Sequence, residues 1–215
     1  MITITSSSNP TIKLIKSLYK KKERWNRKLF IVEGVKIVDE CLNSGYPIEY
    51  IVHSNQLFNV VGGKELYDRI SSLPNLIKVP DKLFKEISDV ETPQGILAVV
   101  PFEVKMMEGV DDDKEPFILL LDRVQDPGNL GTIIRTADAF GIDGIIVTEG
   151  CVDVYNPKVV RATMGSILRV PIYHHESGED IIRKLKEKGA IVYSTSLKGK
   201  EFIQNADFKH FSLLI

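Results

Sequence analysis

The chain has 215 residues, 43% hydrophobic and 27% charged, enough to build a buried core in one large domain or two ordinary ones. Its 28 Lys and Arg against 29 Asp and Glu point on average to no polyanionic partner. Cys41 and Cys151 stand far apart, the four His have no ligand spacing, and no apolar run approaches about eighteen residues, which argues against a disulfide framework, a metal site and a membrane span. The expectation is a soluble protein of a reducing cytoplasm.

Averages hide an asymmetry. Eight of the basic residues but only one acidic residue, Glu23, fall before Leu29, so the N-terminal arm carries +7 and the remainder −8. Ile12, Ile15, Leu18 and Tyr19 recur at helical spacing from Pro10, which predicts a short amphipathic helix running into the solvent-facing stretch KKKERWNRK. LFIVEG (29–34) predicts a strand, and VKIVDECLNSG a helix stopped near Gly45. EYIVHS is a strand, 63–73 a helix, LIKVP a strand, DKLFKEISDV a helix, and GILAVV a strand after the turn TPQG. This alternation predicts a compact α/β domain over 1–100.

Residues 101–116, PFEVKMMEGVDDDKEP, are acidic, bracketed by prolines and without a period, and read as a linker. Alternation resumes over 117–215: FILLLDRV, DGIIVTEG, RVPIYH, AIVYSTS and FSLLI as strands, with NLGTIIRTADAF, PKVVRATMGSI and EDIIRKLKEK as helices. FILLL and GIIV are apolar on both faces, as central parallel strands are when helices cover both sides. The second domain is therefore expected to be a doubly wound parallel sheet, with any small-molecule site outside the carboxyl ends of its strands.

DRVQDPGNLGTIIRTADAFG (122–141) follows a buried strand and opens a helix. Pro127 and Gly128 make a turn, Asn129 suits an N-cap, and Gly141 suits the left-handed residue that ends a helix. Ile133, Ile134, Ala137 and Phe140 are expected to be its buried stripe, while Gly131 and Arg135, four apart, share another face. A bare GNLG most often marks a turn before a surface arginine, and it is neither a P-loop nor GxGxxG.

The whole string DPxNxGxxxRTAxxFG resembles the first signature motif of the TrmH/SpoU-type RNA 2′-O-ribose methyltransferases of the SPOUT superfamily. NPTIKLIKSLYKKKERWNRKLFIVEGVKIVDECL resembles their front substrate-binding domain, ETPQGILAVV that domain's last strand, and YNPKVVRATMGSILRVPI the segment after the second catalytic-domain strand. The resemblance covers essentially the whole chain and lies closest to the ribosomal-RNA-modifying branch. It implies an L30e-like α/β domain followed by a SPOUT α/β-knot domain, S-adenosylmethionine as cofactor, RNA as substrate and a homodimer. Arg135 matches the family's catalytic arginine and Asn129 the asparagine that supports it; Thr195, Ser196 and Leu197 match a segment lining the cofactor pocket.

Asn156, Lys158, Arg161 and Thr163 lie in the stretch resembling the family's RNA-facing segment, Thr163 standing where the family often has Ser. Lys20, Lys21, Lys22, Arg24, Arg27 and Lys28, with Trp25 among them, form a basic arm suited to phosphate and to stacking on an unpaired base. The family's glycine-rich loop with a glutamate and its second signature, rich in Ser and Asn, have no counterpart before Ile215. The resemblance thus implies a form truncated before the knot, itself inactive. A non-catalytic RNA-binding module of the same architecture is the alternative that the motif leaves open.

Overall fold

The computed structural model describes residues 2–107, 115–200, 202–208 and 210–215. By contacts the chain divides into two compact units, residues 1–103 with 155–168, and residues 104–154 with 169–215.

The first unit contains β1 (Ile2–Thr3), α1 (Pro10–Ser17), α2 (Lys21–Arg27), β2 (Leu29–Glu33), α3 (Val35–Asn43), β3 (Tyr50–His53), α4 (Gly63–Ile70), β4 (Leu76–Lys78), α5 (Asp81–Ile87) and β5 (Ile96–Pro101). Its sheet runs β1-β4-β3-β5-β2. β1, β4 and β3 are parallel, while β5 is antiparallel to both β3 and β2. Ile12, Ile15 and Leu18 from α1 and Leu83, Phe84 and Ile87 from α5 close over Ile31, Val52, Ile77, Leu97 and Val99 of the sheet. Burial of such apolar side chains, about 1.5–3 kcal/mol each, is what these helical and strand periodicities secure.

The second unit contains β6 (Phe117–Leu121), α6 (Pro127–Ala139), β7 (Gly144–Thr148), β8 (Ile172–His175), α8 (Gly178–Glu187), β9 (Ile191–Tyr193) and β10 (Ser212–Leu214). Its sheet, β8-β7-β6-β10-β9, is parallel throughout, as the doubly apolar strands require. Every residue of β7 is buried, and Ile118, Leu120, Ile146 and Leu213 pack against Ile181 and Leu185 of α8.

The expected segmentation changes in two places. The short α7 (Pro157–Ala162) lies in the first unit, where it packs against β2 and buries Val159 and Val160. The chain thus returns to its front unit after β7. The proposed linker is also shorter than 101–116. Phe102 donates its N–H to Lys28 O and is buried in the first unit, and Lys105 bridges Tyr173 in the second; residues 108–114 lie outside the described residues.

Candidate active site

In the second unit the chain moves outward from β6 through β7 to β8, then returns from the far edge through β9 to β10, so strand order reverses between β6 and β10. Open parallel sheets bind ligands outside the carboxyl ends of their strands at such a reversal. The loops after Leu121 and Tyr193 and the end of β10 share that edge.

The turn after β6 is held by long-range bonds. Thr148 Oγ1 donates to Asp122 Oδ1 at 2.8 Å, and Arg123 donates to Asp122 Oδ2 through Nε at 2.9 Å and Nη2 at 2.8 Å. The Thr148 hydroxyl first, and then Arg123, hold the Asp122 carboxyl below its usual range. Cys151 Sγ accepts from Val124 N and donates to Leu121 O, each at 3.3 Å, and Val152 N donates to Val124 O. Arg123 adopts φ +53°, and Gly150 is needed beside it: a Cβ there would stand 2.9 Å from Arg123 Cγ. Asp122, Arg123, Thr148 and Cys151 carried no local signal in the sequence, because their partners are far along the chain.

α6 opens from this turn, but its N-cap is Asp126, whose Oδ1 accepts from Asn129 N at 2.7 Å; Pro127 is the first helical residue. The expectation that Asn129 caps the helix is corrected, since Asn129 lies inside the first turn and is exposed. Arg135 is exposed on the same helix, six residues and about 9 Å of rise further on. The buried stripe is Leu130, Gly131, Ile134 and Ala137. Phe140, expected to be buried, is 81% exposed, because the helix ends there and Gly141 turns away at φ +66°. Asp138, on the same helix, accepts from Arg169 Nε and Nη2.

Beyond β9, Thr195 donates both its N–H and its Oγ1 to Ile215 O, at 2.9 and 3.0 Å. Ser196 Oγ accepts from Lys198 N, and Leu197 is fully exposed.

The basic arm of the first unit is heterogeneous. Lys20, Lys21 and Lys22 are exposed, and Arg27 pairs with Glu23 at 3.2 Å. Arg24 is corrected as a phosphate ligand: it is 2% exposed, and its Nη1 donates to Leu18 O at 2.7 Å, satisfying a carbonyl left open where α1 ends. Trp25 is likewise occupied. Its ring meets Phe102 and Tyr155 at centroid distances of 5.5 and 6.2 Å, and Lys28 Nζ sits 5.0 Å from the Trp25 centroid. On α7, Asn156 is the N-cap, Lys158 is exposed, and Arg161 pairs with Asp89 at 3.2 Å. Thr163 is buried and donates to Val160 O.

Among the described residues no group of metal-ligating side chains gathers, and no helix is long and apolar enough to cross a membrane.

Residues 116–215 match the SpoU rRNA Methylase family, and residues 9–98 match the MRM3-like substrate binding domain. The chain is 30% identical over 216 aligned residues to the 23S rRNA (guanosine(2553)-2′-O)-methyltransferase RlmP of Bacillus subtilis (strain 168), covering all of this chain and 82% of that protein. The chain belongs to the SpoU rRNA methylase family. Another relative in this family, the mitochondrial rRNA methyltransferase 3A of Danio rerio, is 34% identical over 78% of this chain, which spans 40% of that longer protein. The crystal structure of an AdoMet-bound rRNA methyltransferase from Sinorhizobium meliloti superposes with a TM-score of 0.82 at 32% identity, covering 99% of this chain and 79% of that one. The substrate-binding domain plus SPOUT-type parallel sheet expected from the sequence is the architecture observed.

Proposed function

We infer that the protein transfers a methyl group from S-adenosylmethionine to a ribose 2′-hydroxyl of RNA. The observation that carries this reading is Arg135, exposed on the helix that leaves the β6 edge of the strand reversal, in a chain that matches the SpoU rRNA Methylase family over 116–215. Ribosomal RNA is the substrate that the relatives' names favour over transfer RNA. The working form we propose is a homodimer in the cytoplasm. Residues 1–103 with 155–168 engage the RNA, through Lys20, Lys21, Lys22, Arg27, Lys28, Lys158 and Arg161, and residues 104–154 with 169–215 carry the chemistry.

S-adenosylmethionine, held in part by Thr195, Ser196 and Leu197, supplies an electrophilic methyl group. The guanidinium of Arg135 stays protonated and is no general base. Placed beside the 2′-oxygen, it stabilises the negative charge that develops as the hydroxyl proton leaves to a phosphate or to water. Asn129, earlier on the same helix, orients the substrate.

Arg135→Ala is expected to abolish methyl transfer while RNA and cofactor affinities stay within a few-fold, because the interaction matters chiefly as charge develops. Single-turnover transfer of labelled methyl to rRNA, read as ribose methylation that blocks alkaline cleavage, is the test. Near-normal turnover in the variant would sink the assignment. A wild-type protein that binds RNA without methylating it would be an RNA-binding module instead.

A further inference from the structure

A cavity of about 590 Å³ opens in the first unit where β2 passes into α3, with α7 on its far side. Its size is in the range, roughly 300–1,000 Å³, of sites that enclose a small organic group. Glu33, Gly34, Lys36, Gln94, Arg161 and Met164 are among its lining residues.

The polar groups here have bonding capacity left over. Glu33 is half-buried, and its Oε1 accepts from Ser88 Oγ at 2.5 Å. Burial raises its pKa above the ordinary carboxylate value against the Ser88 hydroxyl, the Asp89 backbone and the Arg161 charge, and two donors leave part of a carboxylate's accepting capacity unused. Gln94 Oε1 accepts from Val35 N at 2.8 Å, while its Nε2 has no partner among the described residues. Arg161 donates to Asp89 through Nη2, in the plane of the guanidinium, and lines the cavity with its charge acting on Glu33. Gly34 keeps the floor clear: at φ +115° its missing Cβ would come within 3.0 Å of Gln94 Oε1. At the rim, Val61 is wholly exposed and Met164 is 64% exposed, and Lys36 brings an exposed cation.

The complement of this lining is a flat group with two adjacent N–H donors on one edge, an acceptor next to them, and a nearby negative charge. Of the four RNA bases only guanine carries that edge, with N1–H and N2–H beside O6. Adenine sets one donor beside one acceptor, cytosine one donor beside two acceptors, and uracil flanks one donor with two acceptors. Single-stranded RNA is commonly read in this way, by splayed bases stacked on side-chain planes and bonded along their pairing edges.

We propose that this cavity binds the base of an unstacked guanosine of the RNA substrate, with Glu33 accepting from N1–H and N2–H, Gln94 Nε2 donating to O6, and Lys36 beside the phosphate. The inference rests on the reading of RNA as substrate. It adds a base-reading subsite, distinct from the crevice of the second unit, that fixes which strand is presented.

The test is fluorescence anisotropy of this chain with a labelled single-stranded oligouridylate carrying one central guanosine, adenosine, inosine or N1-methylguanosine. Guanosine is expected to bind at least about tenfold tighter than adenosine. Inosine, which lacks the N2 amino group, should lose part of that gain, and N1-methylguanosine nearly all of it. Glu33→Gln should bring guanosine to the adenosine level, and Gln94→Ala should weaken it a few-fold. Equal affinity for guanosine and adenosine, or for guanosine and N1-methylguanosine, overturns the proposal whether or not a variant folds. So does a folded Glu33→Gln chain that still discriminates. Arg135→Ala should keep the discrimination intact, and a wild-type protein that prefers guanosine without transferring methyl would sink the catalytic assignment and leave this one standing.

Discussion

His53 ends β3 almost wholly enclosed, 1% exposed, with the rings of Tyr67 and Phe58 at 5.1 and 6.4 Å and neither ring nitrogen hydrogen-bonded. Burial pushes its pKa below the ordinary histidine value, against the Ser54 backbone and helped by Lys78. The unfolded chain therefore takes up a proton at a pH where the folded chain does not. Stability from this group is complete above about pH 6.5 and falls as pH drops below it towards the folded pKa. Glu33 works in the opposite sense, because its pKa is raised on folding. A substitution isolates the histidine: His53→Phe should flatten the loss of stability between about pH 7 and pH 5, measured as the urea midpoint of the first unit. Identical pH slopes in wild type and variant would show that His53 is not its source. No ligand spacing marked this histidine in the sequence, and its burial was not legible there, since that comes from α4 and the loop before it.

At the scale of elements, α6 shows how far local rules reach. Asp-Pro before an apolar period marks a helix start, and Gly141 marks its end; both signals lie within a few residues of the boundaries they set. The cap was misplaced by three residues because Asn129 and Asp126 are both good caps, and only the bond from Asn129 N to Asp126 Oδ1 chooses between them. Asp126→Ala should destabilise the second unit by about 1 kcal/mol, with Asp126→Asn restoring most of it. Chemical denaturation of the two variants checks this, and a neutral alanine substitution would show that the Pro127 start needs no cap. Arg24 illustrates the opposite limit. Its charge predicted a solvent-facing arm, yet the break between α1 and α2 turns it onto Leu18 O, a geometry no periodicity encodes.

For the whole molecule, the excess of positive charge in the first 28 residues is a property of the sequence, but its use depends on which side chains remain exposed. Lys20, Lys21 and Lys22 do, whereas Arg24 is buried, and the exposed Lys28 sets its ammonium over the Trp25 ring. Replacing the three lysines together should lower the slope of log affinity for RNA against log salt by about 2 units, at roughly 0.7 per neutralised phosphate of a single strand. An unchanged slope would mean that these lysines are only solvated.

Composition and periodicity by themselves determined the α/β class, the all-parallel second sheet and the boundaries of most elements, because burial of apolar faces imposes a period on a strand or a helix locally. The string from Asp126 to Gly141 resembles the family's first signature motif, and that resemblance pointed to the family and to Arg135, since a motif confined to one turn and one helix is a short-range object. Only the tertiary structure decided that residues 155–168 pack with the front unit, that Asp122, Thr148 and Cys151 brace the turn before α6, and that Glu33, Gln94 and Arg161 line one cavity. Asp122 lies 26 residues before Thr148, and Glu33, Gln94 and Arg161 lie further apart still; what brings them together is strand order and the return of α7 onto β2, which depend on the packing of the whole chain.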